Sequence, residues 1–176
     1  MKESLRNLRG KENETVCLSV GRVPVCRRRR CAPGAFAAEN VYVVDGDSLE
    51  MGEVRIRLEG IDAPEYYQDC RYPNNKKYAC GLEARQYLQS LVDQGKVTCI
   101  ERDLDRYNRS LCTCYVTNKI GEKTNLNEAM VRAGWAVVYK NKHSDYSAAE
   151  AEAEREKRGI WQGKFMKPQL YRILNK

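Results

Sequence analysis

Histidine is almost missing from this chain: His143 is the single one in 176 residues. That excludes zinc centres built from several imidazoles and the H-E-x-x-H hydrolases, which need two. No apolar run approaches the roughly 18 residues that a membrane-spanning helix needs. The eight cysteines include no C-x2-C pair, and Cys112-Thr113-Cys114 is too closely spaced for a zinc knuckle. No internal repeat is present. What remains is 42% hydrophobic and 31% charged, a globular composition.

The excess of charge is positive, +7 from 31 Lys+Arg against 24 Asp+Glu, and it is unevenly placed. Residues 1–36 carry nine basic and three acidic side chains, leaving a body of +1. The run Arg27–Arg30 sits in a segment with Pro24 and Pro33 and no helical or strand period. Residues 1–36 are therefore read as a basic, disordered leader or a degenerate signal region, and 37–176 as the folded domain. Ala35-Phe36-Ala37 looks like a cleavage site, yet four arginines stand where a secretory leader is apolar.

Within the body, Val41–Val44, Ser48–Met51 and Val54–Leu58 read as strands, the last two joined by a hairpin at Gly52-Glu53. In Val54–Leu58 the apolar residues alternate with Arg55 and Arg57, which puts both arginines on one face. Leu82–Asp93 reads as a helix with the stripe Ala84, Tyr87, Leu88, Leu91 and Val92, ended by Gly95. Val97–Glu101 and Leu111–Val116 are expected as strands joined by the charged loop Arg102–Arg109. A short helix Asn127–Ala133 stops at Gly134. A last helix runs from a Ser147/Glu150 capping box to about Lys157 and ends at Gly159. The tail Lys164–Lys176 is expected to pack on the body, with Trp135 and Trp161 as core or helix-docking residues and His143 on a surface loop. The fold class is α+β, a five-stranded barrel with about three helices.

Two carboxylate clusters fall on turns, Asp45-Gly46-Asp47-Ser48 and Asp62-Ala63-Pro64-Glu65. Pro64 keeps Ala63 out of helical space, so the second turn is a rigid kink able to aim Asp62 and Glu65 at one point. Hard cations take oxygen ligands of this kind. An EF-hand is excluded, because Leu49 and Glu50 stand where a ligand and the obligatory glycine belong. Arg57 lies beside the first cluster, and Arg109 closes Asp105-Arg106-Tyr107-Asn108-Arg109. Carboxylates with a metal, facing two guanidinium forks, are equipment for attacking a phosphodiester.

The segments V-V-D-G-D-S-L, V-R-I-R-L-E-G-I-D-A-P-E, D-R-Y-N-R, N-L-N-E-A-M-V-R-A-G-W-A and G-I-W occur in that order between Val41 and Trp161. Together they closely resemble the staphylococcal nuclease family. The resemblance implies an OB-fold five-stranded barrel and Ca2+-dependent hydrolysis of DNA and RNA to 3′-phosphate products. It implies Asp47, Asp62 and the Ala63 carbonyl as Ca2+ ligands, with Asp45 behind them. Glu65 would orient or deprotonate the attacking water, and Arg57 and Arg109 would bind the scissile phosphate. Arg106 and Tyr107 would contact a terminal phosphate, and Tyr139 would stack on a base. Asn108 replaces the family's usual glycine, Ser48 its usual threonine, and Lys142 stands near a frequent second tyrosine. The competing reading is a non-catalytic OB-fold module that binds nucleic acid or protein.

Cys70 and Cys80 resemble the cysteine pair of exported bacterial relatives. Cys99 and Cys114 lie on strands that should pair, so a cross-strand bridge is open to them, with Cys112 on the same face as a competitor. Five cysteines in the body leave at least one unpaired. The expected partner is single-stranded or locally unpaired DNA or RNA, with no membrane and no second subunit. Two disulfides point to an oxidising compartment, secreted or periplasmic.

Overall fold

The apolar alternation of the body generates a curled sheet whose inner face carries Val43, Leu49, Ile56, Leu58, Val97 and Val116, all buried. The computed structural model describes residues 35–38, 40–139 and 145–175. The leader before residue 35, Lys142 and His143 lie outside these described residues. The first strands of the main sheet are β1 (Ala35–Ala38), β2 (Val41–Asp45), β3 (Ser48–Met51) and β4 (Val54–Leu58). Two short pairs use β5 (Ile61–Asp62), β6 (Cys70–Arg71) and β7 (Lys77–Tyr78). Helix α1 (Cys80–Val92) precedes β8 (Gly95–Leu104), β9 (Ser110–Asn118) and β10 (Lys123–Asn125). Then follow α2 (Leu126–Arg132), β11 (Val137–Val138), α3 (Ser147–Arg155), a 3-10 turn Gly159–Gln162 and α4 (Pro168–Leu174).

The sheet order is β1-β8-β9-β4-β3-β2, with β10 on β9; β4 and β9 are parallel and the other pairs antiparallel. Among the described residues no ladder joins β1 to β2, and the sheet is a curled half-barrel within the α+β class expected. β1 begins two residues before the boundary expected at residue 37 and pairs Ala35–Ala38 with Val97–Ile100. Among the described residues there are four α-helices, the fourth supplied by the tail.

Several local expectations are corrected. Helix α1 does end near Asp93, but Gly95 is the first residue of β8. A Cβ there would lie 2.0 Å from the Thr117 carbonyl oxygen, so strand pairing requires this glycine. Helix α2 starts at Leu126, capped by the Asn125 side chain on the Glu128 amide. Asn127 is buried instead, donating to the Glu59 and Cys112 carbonyls and accepting from the Cys114 amide. The Gly134 stop holds: Trp135 N–H reaches the Met130 carbonyl and Gly134 N–H the Val131 carbonyl, a Schellman closure with Gly134 at a φ of 75°. The Ser147/Glu150 box does not form. The Glu150 carboxylate accepts from the Val138 amide at 2.7 Å, and Asp145 takes the Ser147 amide. Helix α3 stops before Gly159, with Lys157 itself at a left-handed φ of 53°.

Cys99 and Cys114 face each other across β8 and β9 with Cα atoms 4.1 Å apart and are bridged. Cys70 and Cys80 form a second bridge, inside a small cluster with Ile160 and flanked by Trp135 and Trp161. The tail docks there through Phe165, edge-on to Trp161 at 5.1 Å between ring centres. Among the described residues Cys112 is the free, buried thiol, and burial, reinforced by the Glu101 and Glu59 charges, pushes its pKa up to about 12. Breaking the 70–80 bridge as the double serine variant is expected to cost about 3 kcal/mol in urea unfolding, the loop-closure value for loops of this size.

Candidate active site

The β3–β4 register sets Ser48 opposite Arg57, which brings Asp47, at the head of the β2–β3 turn, to the Arg57 fork. Asp45 accepts the Asp47 amide at 3.0 Å and so sets that turn. Arg57 Nη1 donates to Asp47 Oδ1 at 2.8 Å and Nη2 to Asp62 Oδ1 at 2.7 Å. Ser48 Oγ also donates to Asp47 Oδ1, and the Ala63 amide donates to Asp47 Oδ2, both at 3.0 Å. Asp62 is itself pinned by β11, whose Val137 pairs with it.

Close backbone contact allows this convergence. A Cβ on Gly46 would stand 2.7 Å from the Ala63 Cβ, and one on Gly81 only 1.8 Å from the Glu65 carbonyl oxygen. These glycines let the two carboxylate turns and the start of α1 meet. Buried Gln68 accepts the Glu65 amide at 3.3 Å and donates to the Met166 carbonyl at 2.7 Å, tying the second turn to the tail.

Glu65 is brought to the same point by a residue the sequence reading passed over. Arg172 of α4 donates from Nη1 to Glu65 Oε1 at 2.6 Å and from Nη2 to Asp62 Oδ2 at 3.1 Å. Asp47, Arg57, Asp62, Glu65 and Arg172 thus form one network. Burial lifts the Asp47 carboxyl to about 6; Arg57 opposes this and Asp45 adds to it. A raised carboxyl contributes stability that is full below about pH 4 and lost as pH rises through about 6. The cation-free protein is therefore expected to lose stability across that window relative to Asp47→Asn, as thermal melts of both proteins would reveal.

The second arginine of the expected pair is held within its own loop. Arg109 Nε is held by Asp105 Oδ2 at 2.7 Å, and Asp105 Oδ1 accepts the Tyr107 and Arg109 amides. Burial works against the Asp105 charge, but the Arg109 and Tyr107 bonds prevail and lower its pKa. Asn108 takes a φ of 61°, the left-handed conformation for which it substitutes for glycine. Arg106 and Arg109 both lie against the Tyr107 ring, which is exposed. Tyr139 follows β11, its amide on the Gly60 carbonyl, and the residue is 39% exposed.

The donor set suits a hard cation. Two buried carboxylates aim oxygens at one guanidinium, that of Arg57, and Asp62 also meets Arg172. Among the described residues no three His, Cys, Asp or Glu side chains gather closely enough to hold a metal by themselves. Asp47 and Asp62, completed by a backbone carbonyl and water, match an oxygen site that keeps some of its hydration.

Residues 55–163 match the family model described as staphylococcal nuclease homologue. The chain is 34% identical over 138 residues to a micrococcal nuclease of Shigella flexneri, covering 72% of this chain and 74% of that one. It is 37% identical over 127 residues to an uncharacterized endonuclease of Escherichia coli O157:H7, covering 69% and 74%. Protein ParB of Escherichia coli is 34% identical over 135 residues, covering 70% and 71%. With its curled sheet, ordered motifs and carboxylate–arginine network, the chain belongs to the staphylococcal nuclease family, hydrolases of nucleic acid with the OB-fold.

Proposed function

We propose that this chain is a Ca2+-dependent phosphodiesterase that cuts unpaired DNA or RNA by attack of water and leaves 3′-phosphate ends. The convergence of Asp47, Asp62 and Glu65 on the Arg57 and Arg172 guanidinium groups carries this reading. Asp47, Asp62 and the Ala63 carbonyl would hold the cation, with Asp45 keeping Asp47 oriented. When bound, the cation neutralises phosphate charge and lets an anionic nucleophile approach.

The remaining work falls to side chains. Glu65 accepts the proton of the attacking water at a carboxylate oxygen. Arg57 turns its fork from the carboxylates to the phosphate, and Arg109 brings a second guanidinium from the 105–109 loop. Both gain strength as charge builds on the equatorial oxygens. Arg106 and Tyr107 meet a terminal phosphate, and Tyr139 offers a ring to a base. A groove of about 540 Å³ opens beside Glu65, lined by Val44, Asp45, Tyr66, Tyr67, Tyr171 and Arg172 among others, with Tyr67 86% exposed. Rings at the rim of such a groove suit a single strand, whose bases are free to stack.

The two disulfides favour work in an oxidising compartment, secreted or periplasmic. Among the described residues no helix is long and apolar enough to cross a membrane. Digestion of single-stranded DNA with Ca2+ or with a chelator is the direct test, followed by end-group analysis. Chelator-sensitive cleavage with 3′-phosphate ends is expected. Binding without cleavage would establish the non-catalytic module instead.

A further inference from the structure

We propose that Arg172 is an active-site residue that sets divalent-cation affinity: its fork occupies Asp62 and Glu65, and a divalent ion binds by displacing it. The inference rests on the assignment of Asp47 and Asp62 as cation ligands. Charge and placement carry it. Asp62 Oδ1 accepts from Arg57 Nη2 at 2.7 Å, Asp62 Oδ2 accepts from Arg172 Nη2 at 3.1 Å, and Arg172 Nη1 stands 2.9 Å from Oδ1 as an ion pair. Both oxygens of Asp62 therefore face a guanidinium. A divalent ion on Asp62 would stand within a few ångströms of these like charges and compete with one of them for the carboxylate.

Arg172 is the one that yields. Arg57 rises from the middle of the sheet, spans two buried carboxylates and is 15% exposed, against 34% for Arg172. Helix α4 has little else to hold it down. It buries Pro168 alone and leaves Leu170, Ile173 and Leu174 exposed. Its other side-chain tether to the Glu65 turn is Tyr171, whose hydroxyl donates to the Tyr67 carbonyl at a long 3.3 Å. Shallow apolar docking leaves the ion pairs as the main attachment, and like-charge repulsion from a bound divalent ion acts directly on them. The same displacement releases Glu65, whose Oε1 accepts from Arg172 at 2.6 Å and is a poorer proton acceptor while that bond stands. Cation binding and the unmasking of Glu65 are then one event.

The test is calorimetric titration of the full chain with Ca2+ alone, without nucleic acid, for the wild type, Arg172→Gln and the control Leu170→Ala. Arg172→Gln is expected to bind Ca2+ about 10-fold more tightly, since charge-assisted bonds no longer oppose the ion; Leu170→Ala should match the wild type. In the wild type, Ca2+ should also speed amide exchange in α4. Equal or weaker Ca2+ binding by Arg172→Gln, with α4 exchange unchanged by the ion, would overturn the inference while leaving the cation site standing. Failure of all three proteins to bind Ca2+ would overturn the ligand assignment, and this inference with it.

Discussion

Arg57→Lys is expected to slow cleavage by on the order of 10²–10³-fold while nucleic-acid binding weakens far less. Arg57 engages two acceptors at once, Asp47 at 2.8 Å and Asp62 at 2.7 Å, with separate prongs of one planar group. An ammonium keeps the charge but cannot span both positions, nor two oxygens of a phosphate as charge builds on them. Single-turnover cleavage set against equilibrium binding separates the two effects. Turnover within a few-fold of wild type would remove Arg57 from the reacting centre. Truncation to alanine has a second, structural consequence. Asp47 and Asp62 are nearly sealed from solvent, at 3% and 2% side-chain exposure. Removing their shared partner is expected to cost about 3–5 kcal/mol in cation-free urea unfolding at neutral pH. The loss should shrink near pH 5, where Asp47, titrating at about 6, carries a proton.

Glu65→Gln is expected to lower the cleavage rate by about 10²–10⁴-fold, the usual contribution of a placed proton acceptor. The amide is isosteric and keeps an oxygen for Arg172, so the turn at Pro64 and its bond to Gln68 should survive. Ca2+ affinity should hold or rise, because Glu65 then binds Arg172 less strongly and Asp62 is easier to free. A rate loss with intact Ca2+ binding identifies a proton acceptor; parallel loss of both would make Glu65 a ligand instead. Metal titration beside rate measurement decides between them.

Much of the site was legible because its signals are local. The i, i+2 spacing of Asp45 and Asp47, the kink at Pro64 and the two-residue alternation around Arg57 are written within a few residues of one another. Asn108 was legible for the same reason, its left-handed φ being a property of one residue and its turn. Less legible were groups whose partners are distant in sequence. Ser147 and Glu150 have capping-box spacing, yet Glu150 is worth more on the Val138 amide, which β11 leaves at the end of a short ladder. Asn127 looks like an ordinary helical residue, but its amide satisfies backbone groups of the Glu59 turn and of β9 that would otherwise be buried unpaired.

Composition, period and motif order determined the α+β class, the main strands and helices and the family, and singled out the candidate carboxylates and arginines, all carried by short-range pattern. Tertiary structure alone decided that the sheet stays a half-barrel, which of the cysteines on one face of β9 is bridged, and that Arg109 rests on Asp105. It alone decided that Arg172, 107 residues from Glu65 and 110 from Asp62, completes the network. Nothing in the neighbourhood of Arg172 distinguishes it from other basic residues of the tail. An ion pair is selected by the distance at which folding leaves two charges and by the water excluded around them, and neither quantity has a local signature.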